Sequence, residues 1–287
     1  MRELLVRPRG PYSLALSARL AGDATRTFRD GVLRANLGGE LGLAWQGPDG
    51  RVTLRAESEC GLELLRFVLA LDDDHTPFLR ANARDPLLGE AVKRLRGLRP
   101  VRVVTVTQAL LRALCGQLIE SRRARQLERR IVGAAAGGGA SLHAPPSSES
   151  LGRFSAAELR ALGLHARRAA TLLRLLRSVD VERLRALPTD AAAARLERER
   201  GLGPWSVGLV CLEGLGRYER GLVGDLGLIR LVSALRSRRA EAWETAELLE
   251  PYGEWAGLAG LYLLTGWARG LVPAPARRTP PQRRAVA

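Results

Sequence analysis

Two helical patterns, at about 190–200 and 204–215, are joined by only three residues, Gly201-Leu202-Gly203. A reversal this tight needs backbone angles that glycine alone adopts cheaply. With no side chains at 201 and 203, amide N–H groups can approach a partner closely. Those amides stand at the start of the second helix, where the helix dipole and unpaired donors favour an anion. Pro204 suits the first turn of that helix, where its missing N–H costs nothing. The segment reads as a backbone grip for a DNA phosphate, which positions a protein without reading sequence. An ordinary helical hairpin closed by a glycine turn is the plain alternative.

The charge balance agrees with a polyanionic partner. The 287 residues hold 45 Lys and Arg against 30 Asp and Glu, a net charge of +15. A membrane surface fits less well, because no long basic amphipathic helix carries a Trp/Phe face. No apolar run reaches the ~18 residues that a bilayer-spanning helix needs. The first residues, MRELLVRPRG, hold no apolar stretch of signal-peptide type, which sets a cytoplasmic expectation. Charge alone does not select the partner: a GC-rich genome inflates arginine, and Lys93 is the only lysine. Cys60, Cys115 and Cys211, like His75, His143 and His165, lack metal-ligand spacing. No metal held by side chains is expected, and no cofactor.

The fold class expected is α+β, mostly α: a small N-terminal antiparallel sheet domain over 1–85, then a helical body over 86–271. In the first part Leu41, Leu43 and Trp45 alternate with small or polar residues, as do Val52, Leu54 and Ala56, around the turn Gly47-Pro48-Asp49-Gly50. The spacing predicts a helix over 59–71 and a long helix or bent pair over 105–133. Gly133 opens a Gly/Ala/Pro/Ser-rich stretch to about 153, read as a loop. Ser155 with Glu158 forms a capping-box pattern, a helix runs over 165–178, and Thr189 or Asp190 caps the next. Residues 272–287 are rich in Pro and Arg without periodicity and read as a disordered basic tail.

GLGPWSVGLVCLEGLGR followed by VGDLGLIR resembles the helix-hairpin-helix DNA glycosylase superfamily, and more narrowly the bacterial DNA-3-methyladenine glycosylase II family. DPLLGEAVKRLRGLRPVR, ALLRALCGQLIESRRARQLERRI, FSAAELRALGLHARRAATLLRLL and EPYGEWAGLAGLYLLTGWARG are similar to further segments of that family in its order. About two-thirds of the chain carries recognisable pattern.

The resemblance implies that Asp225 is the catalytic carboxylate. Breaking an N-glycosidic bond develops positive charge on the sugar, which a fixed carboxylate stabilises while orienting water. Asp225 also precedes the helical run Leu226 to Leu235, so a plain N-cap is the competing role. The resemblance further implies a wedge at Gln117 and Leu118 that fills the gap left by an extruded base. It implies a base pocket at Trp205, Leu209 and Tyr262; a core position is the alternative for Trp205, Trp255 and Trp267. Leu209 stands where the best-known members place tyrosine. Bifunctional members carry a lysine near the start of the hairpin's second helix. Here that helix reads Pro204-Trp205-Ser206-Val207-Gly208, which argues for water as nucleophile and against a lyase step. No cysteine set for an iron–sulfur cluster is present.

The expected partner is double-stranded DNA with a damaged base, bound by a monomer in the bacterial nucleoid. A monovalent cation held by hairpin backbone carbonyls is left open. The function expected is hydrolysis of alkylated bases to leave an abasic site. The alternatives are a non-catalytic DNA-binding or damage-sensing protein, or a glycosylase for oxidised or deaminated bases.

Overall fold

The computed structural model describes residues 1–19, 21–138 and 141–273; the expected basic tail lies outside them from residue 274. Five strands, β1 (Arg2–Val6), β2 (Arg26–Arg29), β3 (Val32–Asn36), β4 (Leu41–Gln46) and β5 (Val52–Ala56), form one antiparallel sheet in the order β1-β5-β4-β3-β2. The expected hairpin is present, with Gln46 opposite Val52 across the Gly47–Gly50 turn. Strand alternation buries Leu33, Ala35, Ala44, Val52, Leu54 and Ala56 on one face. Against that face packs α2 (Glu59–Val68), which contributes Leu62, Leu65 and Val68 and is capped by Ser58, whose hydroxyl accepts from Gly61 N. A short helix, α1 (Leu14–Ala18), lies between β1 and β2.

The rest of the chain is helical: α3 (Thr76–Ala81), α4 (Gly89–Arg94), α5 (Val106–Gly116), α6 (Ser121–Ala135), α7 (Ser148–Gly152), α8 (Ala156–Ala161), α9 (Ala166–Ser178), α10 (Thr189–Glu197), α11 (Pro204–Leu209), α12 (Leu226–Leu235), α13 (Glu244–Leu249) and α14 (Ala256–Ala268). α5 is buried almost all round and is the central helix. The 105–133 pattern resolves as a broken pair, α5 and α6. The Gly-rich reading from 133 is corrected at both ends, since α6 continues through Gly133 to Ala135 and Ser147 caps α7. The Ser155–Glu158 capping box forms with both bonds. At α10 the cap is Pro188, with no side-chain cap hydrogen bond; Thr189 instead donates to Glu219, and Asp190 accepts from Arg220. Among the described residues no helix is long and apolar enough to cross a membrane.

Two hydrophobic clusters divide the molecule, one under the sheet and one among the helices. Phe78 and Leu79 join the helical cluster, and Val101 and Val104 the sheet cluster. Buried charge links them. Arg112 of α5 donates to Asp23, to Glu128 of α6 at 2.9 Å and to Glu213 at 2.5 Å. Arg26 pairs with the same Asp23 and donates to the Ala21, Arg102 and Val101 carbonyls. Burial by itself would raise the Asp23 carboxyl; the guanidiniums of Arg26 and Arg112 and the Thr25 hydrogen bonds outweigh it and hold the group below the ordinary carboxylate range. A depressed carboxyl stabilises the fold above its unfolded value of about 3.9, and that contribution is lost as pH falls below it. Asp23→Asn is therefore expected to cost about 3 kcal/mol at pH 7. In urea denaturation the gap between variant and wild type should shrink at pH 3.

Candidate active site

Asp225 reaches its position through a loop clamped between two helices. α11 passes into a wider, π-type turn over Val210–Leu215, and the loop 216–225 then leads to α12. On one side a Cβ placed on Gly208 of α11 would lie 2.2 Å from the Gly221 carbonyl oxygen. On the other, Gly257 of α14 donates its N–H to the Tyr218 carbonyl at 2.7 Å, and a Cβ there would lie 2.9 Å from Arg220 O. Both helices touch the loop backbone because neither carries a side chain there. Gly224 N donates to Thr245 Oγ1 at 2.7 Å. Asp225 then caps α12: its Oδ1 accepts from Gly227 N at 2.7 Å and Leu228 N at 3.3 Å. Its Oδ2 accepts from Trp205 Nε1 at 2.9 Å. The cap is thus real, and it uses one oxygen; the other is aligned by an indole on the hairpin.

The hairpin is braced from outside. Gly201 has φ +104°, and a Cβ there would lie 2.7 Å from Thr171 Oγ1. That hydroxyl donates to Arg200 O at 3.1 Å, and Arg174 Nη2 donates to the same oxygen at 2.8 Å. Leu202 is buried, so its side chain anchors the turn in the core. Gly203 begins α11 with open space where a side chain would be.

Asp225, Trp205, Leu209, Gly203, Gln117 and Leu118 line one cleft of about 1230 Å3. Leu118 lies in the turn between α5 and α6, is 84% exposed and has φ +56°. An exposed leucine in the left-handed region carries a backbone cost that no packing explains. Gln117 does not stand free beside it: Nε2 donates to Gly201 O at 2.8 Å and to Ser206 Oγ at 3.0 Å, tying the turn to the hairpin. Trp205 is half-buried, and a Cβ on Gly116 would meet its Cη2 at 2.6 Å, so the end of α5 cradles the indole. Tyr262 is a correction. It is 0% exposed, packs on Phe78, and its hydroxyl donates to the Leu95 and Leu98 carbonyls at 3.2 Å. One residue turns a helix by about 100°; the cleft face of α14 is Leu261, Leu264, Thr265 and Ala268. Trp255 stacks on Tyr218, with centroids 5.7 Å apart, and lies outside the cleft lining.

Composition and spacing gave no sign of the charged floor, where Asp23, Arg26, Arg112, Glu128 and Glu213 also line the cleft. These residues come from distant parts of the chain. Arg122 and Arg125 of α6 also reach the lining. Among the described residues no three His, Cys, Asp or Glu side chains gather as metal ligands would.

No protein-family model matches the chain. A DNA-3-methyladenine glycosylase of Bacillus subtilis (strain 168) is 28% identical over 215 residues, covering 70% of this chain and 71% of that protein. A solved 3-methyladenine DNA glycosylase from Archaeoglobus fulgidus superposes with a TM-score of 0.80 at 20% identity, covering 93% of this chain and 98% of the other. The chain has the fold of the solved glycosylase and is similar in sequence to the Bacillus subtilis one. The same fold is found in an 8-oxoguanine glycosylase/lyase of Clostridium acetobutylicum solved with duplex DNA, with TM-score 0.74, 15% identity, 93% of this chain and 98% of that one.

The Gly116–Trp205 contact is open to test. Gly116→Val should displace the indole, cost about 1–3 kcal/mol in urea denaturation, and remove the Trp205–Asp225 hydrogen bond from a crystal structure of the variant.

Proposed function

We propose that this chain belongs to the helix-hairpin-helix glycosylase superfamily and is a monofunctional DNA glycosylase that hydrolyses the N-glycosidic bond of alkylated, 3-methyladenine-type bases in double-stranded DNA and leaves an abasic site. One observation carries the reading. The Asp225 carboxylate is fixed by Trp205 and by the start of α12, inside a cleft shared with the glycine hairpin and an exposed leucine. In this scheme the 201–203 backbone holds a phosphate, and Leu118 occupies the gap in the stack that the extruded base leaves. The base enters beside Trp205 and Leu209. An electron-poor alkylated ring gains from an indole face. Asp225 stabilises the positive charge that grows on the deoxyribose and orients the attacking water.

Water as nucleophile is supported by the cleft lining, which includes no lysine. The chain's only lysine, Lys93, is exposed in the last turn of α4. Arginine stays protonated and does not form the Schiff base that a lyase step requires. The name of the Bacillus subtilis relative supports the alkylated-purine assignment. No cofactor enters the scheme; of the turn carbonyls, those of Arg200 and Gly201 already accept side-chain donors.

Asp225→Asn should lower single-turnover excision by about a hundredfold or more, with duplex binding retained. Binding without excision by both proteins would point to a damage-sensing module instead, and excision of 8-oxoguanine in place of alkylated bases would move the substrate. Borohydride reduction during turnover should trap no protein–DNA adduct. Duplex affinity should fall linearly on a log–log plot against salt, as counterion release from phosphates requires.

A further inference from the structure

Beside Leu118, a second large apolar side chain is left in solvent on the same cleft. Trp243 is 60% exposed and lines the cleft together with Ala242, Gly224 and Asp225. Among the described residues, Trp243 and Leu118 are the large exposed hydrophobics that belong to this lining. They reach it from different elements, Leu118 from the α5–α6 turn and Trp243 from the residue that opens α13.

The backbone that presents Trp243 is firmly held. Glu244 is 1% exposed; it pairs with Arg236 and with Arg238 Nη2 at 2.7 Å, and its Oε1 accepts from Glu241 N at 2.7 Å. Thr245 is fully buried. Its hydroxyl donates to Ala242 O at 2.6 Å and accepts from Gly224 N at 2.7 Å, the peptide immediately before Asp225. Trp243 therefore stands on a rigid turn bonded directly to the loop that delivers the catalytic candidate, while its own indole has no ring partner among the described contacts. An exposed indole held rigidly at a cleft edge offers a large amphipathic face to whatever enters the cleft. That edge also carries Asp225 and Arg230, in a chain of net charge +15 that suits a polyanion.

We infer that Trp243 is a DNA-contacting residue that stacks on the nucleotide flanking the extruded one. Extrusion exposes the face of a neighbouring base, and an indole is a sequence-tolerant platform for such a face. The inference rests on the glycosylase reading above and adds to it a second apolar contact on the strand, placed from the Asp225 side of the cleft.

The test uses the full chain and a duplex carrying a tetrahydrofuran abasic-site analogue. Wild-type intrinsic fluorescence should be quenched on titration with this duplex, and Trp243→Phe should lose most of the quench while keeping affinity within about twofold. Trp243→Ala should bind about tenfold more weakly. If Trp243→Ala binds and excises like wild type, and the quench persists in Trp243→Phe, the contact is refuted while the glycosylase reading stands. If wild-type protein neither binds the duplex nor excises a base, both fail. Because the side chain is mostly exposed, unchanged thermal melting of Trp243→Ala separates a binding defect from misfolding.

Discussion

The contact between Gly208 and the Gly221 carbonyl sets the distance between the two halves of the site. α11 carries Trp205, and the loop at Gly221 leads within four residues to Asp225. Any side chain at 208 would push helix and loop apart, and a 2.9 Å hydrogen bond between indole and carboxylate does not survive a shift of that size. Gly257 repeats the device from α14, so the loop is held from both faces by backbone rather than by adaptable side chains. Close-packed interiors transmit small displacements instead of absorbing them. The geometry at Asp225 is therefore fixed by main-chain contacts one to two turns of chain away.

The basic character of the chain has two origins. Part of its arginine faces the cleft and the surface, where it suits a polyanion. Another part is internal. Arg99 donates to the Ala70, Arg9 and Pro11 carbonyls, Arg26 and Arg112 knot the charged floor, and Arg102 pairs with Asp73 and Tyr218. A planar guanidinium offers five donors in fixed directions, which satisfies several buried acceptors at once. Net charge thus overstates the part available to a partner.

Local signals in the chain were legible; convergence was not. The sheet hairpin, the Ser155 cap, the glycine turn and Asp225 ahead of α12 all follow from short-range chemistry that neighbouring residues complete. Gln117 was readable as part of a motif, but its partners lie 84 and 89 residues away, and only the fold shows that it braces the hairpin. Tyr262 failed because a helical face is decided by single-residue phase, which apolarity on both sides of α14 conceals. The charged floor and Trp243 had no local signature, since burial of one and exposure of the other are products of tertiary packing.

Most active sites place their reactive groups at some expense to folding, since a charge held for chemistry is seldom where it would best support the structure. In the role proposed for it, Asp225 escapes that conflict. The oxygen that closes the first turn of α12 strengthens the helix, and the same anchoring aims its twin at the cleft. With that role, a substitution at 225 would be filtered twice, once by whether the chain persists and once by whether it acts. A substitution that drifts toward greater robustness has little to gain here, so selection for a sturdier protein and selection for a working one pull in the same direction.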